Sequence, residues 1–132
     1  MKFTQDDQSQ GYVIHAYENG RVNISGKDYH DSLILLPRQI IEHWRPNSFD
    51  TLLREDFSGI AELAPELLLL GTGATHRFPH PSLLQQLADS GIGVESMTTD
   101  AACRTYNILM SEGRRVAAAL LITNQEAVNT KP

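Results

Sequence analysis

The sequence predicts an α/β fold in three layers, with a mixed, mostly parallel central sheet and an N-terminal β-hairpin layer. Three observations predict it. From Leu67 onward the apolar patterning runs β-α-β-α-β, and right-handed crossovers of that kind build a largely parallel sheet covered by helices. Leu67-Leu68-Leu69-Leu70 is an uninterrupted apolar run of the type found in strands buried on both faces. Near the N-terminus, Asn19-Gly20 separates two β-prone runs, and a type I′ hairpin turn favours that dipeptide because both central positions need positive φ.

Taken in order, residues 1–10 read as a loose polar tail. Residues 12–17 and 21–25 form the hairpin, in a register that sets Glu18 opposite Arg21, Tyr17 opposite Val22 and His15 opposite Ile24. Gly26-Lys27-Asp28 reads as a further turn. Residues 32–36 are a strand ended by Pro37, and residues 39–44 another, stopped by Pro46-Asn47. No periodicity decides residues 48–55. Residues 56–63 space apolar side chains by three and four, which predicts a short helix with Glu55 or Asp56 at its positive end. The leucine strand then follows Pro65, and Gly71 and Gly73 break it.

Pro81 suits the first position of a helix over 81–90, since its missing N–H costs nothing there. Leu83, Leu84, Leu87 and Ala88 share one face of that helix, and Gly91 is a natural stop. Residues 92–97 alternate as a strand with one wetter face, as an edge strand does. Thr99 or Asp100 caps a helix that runs to about Ser111 and closes at Gly113. Ala101, Ala102, Tyr106, Ile108, Leu109 and Met110 cover more than half of its circumference. Arg104, Asn107 and Ser111 form a narrow polar stripe, so this helix is packed on several sides. Residues 115–122 are a last buried strand, and 124–132 a frayed tail.

The length of 132 residues suits one domain over 1–132. A net charge of -5, with Arg114-Arg115 as the only adjacent basic pair, excludes a general nucleic-acid binder, which needs clustered cations to neutralise phosphates. Cys103 is the only cysteine, so no intrachain disulfide forms. No apolar run approaches the roughly 18–20 residues of a membrane span, and direct membrane insertion is not expected. The acidic N-terminus has neither the apolar core of a signal peptide nor the arginines of a transit peptide, which predicts a cytoplasmic protein.

The Gly71-Thr72-Gly73-Ala74-Thr75 loop is the first candidate site, because ligands of open α/β sheets sit beyond the carboxyl ends of strands. Its spacing is neither GxGxxG nor a phosphate loop. The alternative is that the glycines only turn the chain sharply. Arg77 and His76 read as exposed loop residues that contact a partner or an anion. His76 and His80 stand four apart, but Pro79 opposes a helix between them and no carboxylate or cysteine completes a metal site. Cys103 near a helix N-terminus is a candidate reactive thiol; the alternative is a small buried hydrophobe. Thr105 and Asn107 sit in a packed helix. Asn107 needs a hydrogen-bond partner there, the Gly71–Gly73 turn being one candidate, and ligand contact is the other reading. No Ser-His-Asp set or carboxylate pair stands out, so no catalytic residue, metal or cofactor is assigned.

Several short motifs occur in a fixed order: Leu35-Leu36-Pro37 followed by Trp44, Gly71-Thr72-Gly73 after an apolar strand, and Gly91-Ile92-Gly93-Val94-Glu95. Thr99…Ala102-Cys103…Thr105-Tyr106-Asn107 and Glu112-Gly113-Arg114 before Ala118-Ala119-Leu120 complete the set. Over residues 12–122 this series resembles a family of small uncharacterised bacterial and archaeal α/β proteins. That family includes the mitochondrial respiratory complex I assembly factor 3 and an adipogenesis-associated human protein. The resemblance implies a three-layer fold with a mixed central sheet and a second β-layer, and no established enzymatic activity. It also implies protein partners: the mitochondrial member binds other assembly factors and early complex I subunits, and bacterial relatives are often encoded near translocase genes. The segment from His76 to His80 lies outside the matching motifs.

Two functions follow as expectations. The first is a non-catalytic protein-interaction or assembly factor for respiratory or membrane complexes, with an exposed apolar or mixed patch. The second is a small-molecule or anion-binding protein or enzyme, with a partly polar cavity between the Gly71–Gly73 turn and the helix bearing Thr105 and Asn107.

Overall fold

The computed structural model describes residues 11–18 and 20–122. Asn19 and the two expected tails, 1–10 and 124–132, lie outside the described residues. At the N-terminus, β1 (Ile14–Glu18), β2 (Arg21–Ile24) and β3 (Lys27–Tyr29) form an antiparallel sheet in the order β1-β2-β3. Glu18 faces Arg21 and Tyr17 faces Val22, as the hairpin register predicts, but a bulge then sets Ile14 rather than His15 opposite Ile24. The extra residue is what lets Ile14 and Ile24 both turn into the core while His15 stays exposed. The turn expected at 26–28 is displaced. Ser25 and Gly26, with φ of 49° and 96°, make a two-residue turn of the type I′ kind, and Lys27 already pairs with Ile24. Lys27 and Asp28 are poor strand formers. Side-chain bonds from Asn23 Nδ2 (2.8 Å) and Arg21 (3.3 Å) to the Asp28 carboxylate hold this edge.

The second sheet has the order β5-β4-β8-β6-β7, built from β4 (Leu33–Leu36), β5 (Gln39–Ile41), β6 (Leu67–Gly71), β7 (Gly93–Met97) and β8 (Val116–Leu120). It is mixed: β6 runs parallel to β7 and β8, whereas β4 is antiparallel to both β8 and β5. β5 is shorter than the expected strand over 39–44, because His43 takes a φ of 60° and turns the chain. Trp44 instead donates its indole N–H to the Asp56 carbonyl (3.0 Å) and meets the Phe57 ring edge-on.

Residues 48–57 resolve into two 3₁₀ turns, Phe49–Thr51 and Arg54–Phe57, and the expected helix over 56–63 shortens to α1 (Ser58–Leu63), ended by Ala64 at a φ of 50°. The helix expected over 81–90 opens as a 3₁₀ turn, Pro81–Leu84, before α2 (Gln85–Asp89). The long helix α3 (Thr99–Ser111) is capped by Thr98, one residue before the expected cap, whose hydroxyl accepts the Ala101 N–H at 3.1 Å.

The leucine run is buried on both faces. Leu69 packs with Ala118, Leu120, Leu33 and Leu35 against Ala102, Cys103, Tyr106 and Met110 of α3 and Ile14, Val22 and Ile24 of the small sheet. Leu68 and Leu70, with Ala117, Ala119 and Ile34, face Phe57, Ile60, Leu87 and Trp44 on the other side. The α3 stripe reads correctly except at Ile108, which is exposed.

Candidate functional site

The carboxyl end of β6 carries the Gly71–Thr75 turn, and its two glycines serve different purposes. Gly73 adopts a φ of 98°, a left-handed conformation that side chains rarely take. Gly71 does not; it is constrained by space, since a Cβ there would lie 2.9 Å from Thr99 Cα and 3.0 Å from Thr99 Oγ1. The absence of a side chain lets the first turn of α3 come down onto the strand end.

Thr99 is the residue around which this end of the sheet closes. It is fully buried, its backbone N–H donates to the Gly73 carbonyl (2.9 Å), and its hydroxyl accepts the Gly73 N–H (2.8 Å) while donating to the Leu121 carbonyl (2.8 Å). Thr72 is equally engaged. Its N–H donates to the Met97 carbonyl (2.8 Å), and its hydroxyl donates to the Thr75 carbonyl (2.7 Å) and accepts the Arg77 N–H (3.2 Å). Among the described residues no buried side-chain polar atom lacks a partner. The turn is therefore fixed by hydrogen bonds to Met97, Thr99 and Arg77 as well as by the Thr72–Thr75 bond within it. The helix it abuts is α3, not the helix that follows it in sequence.

From Ala74 to Phe78 the chain is exposed. The Arg77 guanidinium lies over the Phe49 ring, 4.3 Å from its centre, and pairs with Asp50 at 2.9 Å, tying the loop to the first 3₁₀ turn. His76 Nε2 stands 3.3 Å from Ser96 Oγ at the end of β7, and its ring leans on that of Phe78 with centres 4.4 Å apart. Phe78 is 77% exposed. His80 caps the following turn, accepting the Ser82 N–H at 3.1 Å. The two histidines thus have separate partners, and among the described residues no group of three or more His, Cys, Asp or Glu side chains is placed to hold a metal.

The remaining sequence candidates lie elsewhere. Asn107, two turns along α3 from Thr99, does not meet the Gly71–Gly73 turn. Its carbonyl oxygen accepts the Ile14 N–H (2.9 Å) and its amide donates to the Ile14 carbonyl (2.7 Å), a two-bond clip at the β1 bulge. Thr105 is half-buried on the same helix. Cys103 is buried, and burial pushes its thiol up to about 12, so no thiolate forms near neutrality. Thr99, Phe78 and the Asp50–Arg77 pair escaped the sequence reading. The Thr98-Thr99-Asp100 run was a signal for the cap but not for the long-range bond.

None of the helices among the described residues is long and apolar enough to cross a membrane. The chain is 38% identical over 92% of its length to a zebrafish (Danio rerio) protein named NADH dehydrogenase [ubiquinone] 1 alpha subcomplex assembly factor 3, and covers 70% of that protein. It covers 66% of the mouse (Mus musculus) protein of the same name, at 34% identity over 92% of this chain. It is 29% identical over 92% of its length to the whole of a 13 kDa major membrane protein of Francisella tularensis. The crystal structure of a Bordetella parapertussis protein superposes with a TM-score of 0.79 at 36% identity, covering 84% of this chain and 95% of that one. The family described as "Protein of unknown function (DUF498/DUF598)" matches residues 14–121, and the chain belongs to it.

Proposed function

We propose that this chain is a protein-interaction and assembly factor for a respiratory or other membrane-bound complex, with no catalytic step of its own. The observation that carries the reading is its 38% identity, across 92% of its length, to a protein named as an assembly factor of NADH dehydrogenase. The site supports it. The Gly71, Thr72 and Gly73 backbone groups and the Thr72 hydroxyl are bonded to Met97, Thr99, Leu121, Thr75 and Arg77, while Phe78 stands 77% exposed beside Arg77. That mixed apolar and charged surface, with Arg77 paired to Asp50, suits a protein contact, where aromatic and arginine side chains carry most of the binding energy. The acting residues in this reading are Thr75, Arg77 and Phe78, with Gly71, Thr72 and Gly73 holding the loop in place.

The experiment is deletion of the gene in a host that carries NADH:quinone oxidoreductase, with the assembled complex quantified on native gels. Loss of assembled complex, restored by the unmodified gene but not by Phe78→Asp, is the expected result. Since Phe78 is exposed, that variant keeps its fold. Assembled membrane complexes at normal levels in the deletion strain would overturn the reading.

A further inference from the structure

The two sheets end in four edge strands, β1, β3, β5 and β7, and three of these are blunted. β1 carries the bulge between Ile14 and Ala16, and β3 and β5 are three residues long. Bulges and short strands keep an edge from recruiting another chain. β7 has neither. It runs five residues in unbroken register beside β6, from Gly93 opposite Leu67 to Met97 opposite Gly71. The Met97 carbonyl accepts the Thr72 N–H on the β6 side at 2.8 Å. Alternate residues of a strand turn their backbone groups to opposite sides. Gly93, Glu95 and Met97 therefore bond towards β6, and Val94 and Ser96 turn their N–H and C=O groups away from it. Among the described residues no strand or loop hydrogen-bonds to those four outward groups.

We propose that β7 takes up an extended segment of a partner protein as an added antiparallel strand, with a basic side chain opposite Glu95 and apolar side chains on either side of it. This rests on the assembly reading and names the kind of partner that reading needs. In strand addition the backbone bonds supply affinity and the side chains supply specificity. Here the specificity comes from the two faces of β7. Glu95 is exposed and has no ion-pair partner among the described residues. With Val94 and Ser96 in hydrogen-bonded pairs, Glu95 falls in a non-hydrogen-bonded pair, where the two Cα atoms stand only about 4.5 Å apart. Lys or Arg on the added strand is attracted there, and Asp or Glu is repelled. The same carboxylate opposes a second copy of this chain. In the symmetric pairing that uses all four outward groups, Val94 meets Ser96 and Glu95 meets Glu95. On the other face, Val94 packs against the core beside Leu87 and Ile92. Ser96 Oγ stands 3.3 Å from His76 Nε2, and the His76 ring leans on that of exposed Phe78. A side chain placed beside Ser96 on the added strand thus meets an aromatic pair, which favours an apolar residue.

The test is a titration of the ¹⁵N-labelled full chain with the peptide acetyl-Thr-Ile-Lys-Ile-Thr-amide, read at the backbone amides by NMR. Saturable shifts are expected at Val94 and Ser96, with the Ile40 amide, on β5 at the opposite edge of the sheet, unmoved. The same peptide with Glu in place of Lys should bind roughly fivefold more weakly or worse. Glu95→Lys, an exposed change that keeps the fold, should reverse that preference. N-methylation of both isoleucines removes the N–H groups that face β7 and should abolish binding. Silent Val94 and Ser96 amides, equal affinity for the Lys and Glu peptides, or undiminished binding of the N-methylated peptide would overturn the proposal. So would a dimer in sedimentation with both amides broadened in the absence of peptide, which assigns the edge to a second copy. The gene deletion tests the assembly reading separately: loss of the assembled complex alongside silent β7 amides would sink strand addition and leave that reading standing.

Discussion

Gly73 and Thr99, 26 residues apart, hold each other by two hydrogen bonds: Thr99 N–H to the Gly73 carbonyl (2.9 Å) and Gly73 N–H to the Thr99 hydroxyl (2.8 Å). The same hydroxyl reaches the Leu121 carbonyl, so a single oxygen joins the loop after β6, the start of α3 and the end of β8. Thr99→Val keeps the shape but strands one buried N–H and one buried carbonyl, at a cost of about 2–4 kcal/mol. Thr99→Ser keeps both bonds and loses a methyl, about 1 kcal/mol. Urea denaturation should show the first as a large fall in midpoint at unchanged slope and the second as a small one.

Gly71→Ala forces a Cβ to 2.9 Å from the Thr99 backbone, which cannot swing away as a flexible side chain does. A loss of about 1–3 kcal/mol is expected from this overpacking. Gly91 is the control: its φ of 75° strains an alanine, but nothing lies within 4 Å of the new methyl. Gly91→Ala should therefore lose only the conformational cost, about 1–2 kcal/mol, in a thermal melt, and native-state hydrogen exchange at the Thr99 amide should show no local opening in it, unlike in Gly71→Ala.

Asn107→Leu removes the clip on Ile14 and leaves an N–H and a carbonyl half-buried without partners. Global stability should fall by about 1–3 kcal/mol. The distinguishing readout is hydrogen exchange, which should accelerate at Ile14 and along β1 well before it does at β6 or β8. Equal acceleration throughout would mean that the clip does not couple the small sheet to α3.

Alkaline pH should destabilise the fold. Burial pushes Cys103 up to about 12 from an ordinary 9.0, and burial raises Tyr106 and Tyr17 as well. The unfolded chain gives up these protons first, so the folded state binds more of them and stability declines as pH climbs. For Cys103 the decline spans pH 9.0 to about 12. Cys103→Ala should flatten that limb of a stability–pH curve. The native thiol should also react with Ellman's reagent far more slowly than the unfolded one at pH 8.

In acid one sensitive group is Asp56, whose carboxyl, like those of Asp28 and Glu66, is held low. Burial acts to raise its carboxyl, but two bonds from Arg45, at 2.6 and 2.7 Å, and one from the Leu53 N–H hold it below the usual range. A lowered carboxyl contributes stability above its unfolded value, and that contribution disappears as pH falls through the folded value. Asp56→Asn should cost about 1–2 kcal/mol at neutral pH and remove most of its share of the acid limb.

The elements with local signals were legible: the leucine strand, the β1–β2 pairing and the α3 stripe all rest on spacing within a few residues. What the sequence hid depends on distant partners. Lys27 and Asp28 become a strand only because Asn23 and Arg21 reach across to them. The β1 bulge exists because Ile14 has a core to enter, which no count of alternation between 12 and 17 reveals. At the candidate site, Gly71 and Gly73 were readable as breaks in a strand, but the reason for Gly71 lies in a helix 28 residues later. Arg77 was readable as exposed, yet its seat on Phe49 and Asp50 lay in a stretch with no periodicity.

β8 sits between β4 and β6, antiparallel to one and parallel to the other, and it is the last strand among the described residues. During synthesis, β4 and β6 must therefore wait with open edges until residues 116–120 leave the ribosome. Any chain that stops short of Val116 carries two apolar strands, β4 and β6, each open along the side that β8 would cover, which is a template for aggregation. The small side chains of Ala117, Ala118 and Ala119 let that late arrival slide into a slot whose walls are already lined with leucine and isoleucine. A nascent chain of this protein keeps both of these edges open until β8 emerges.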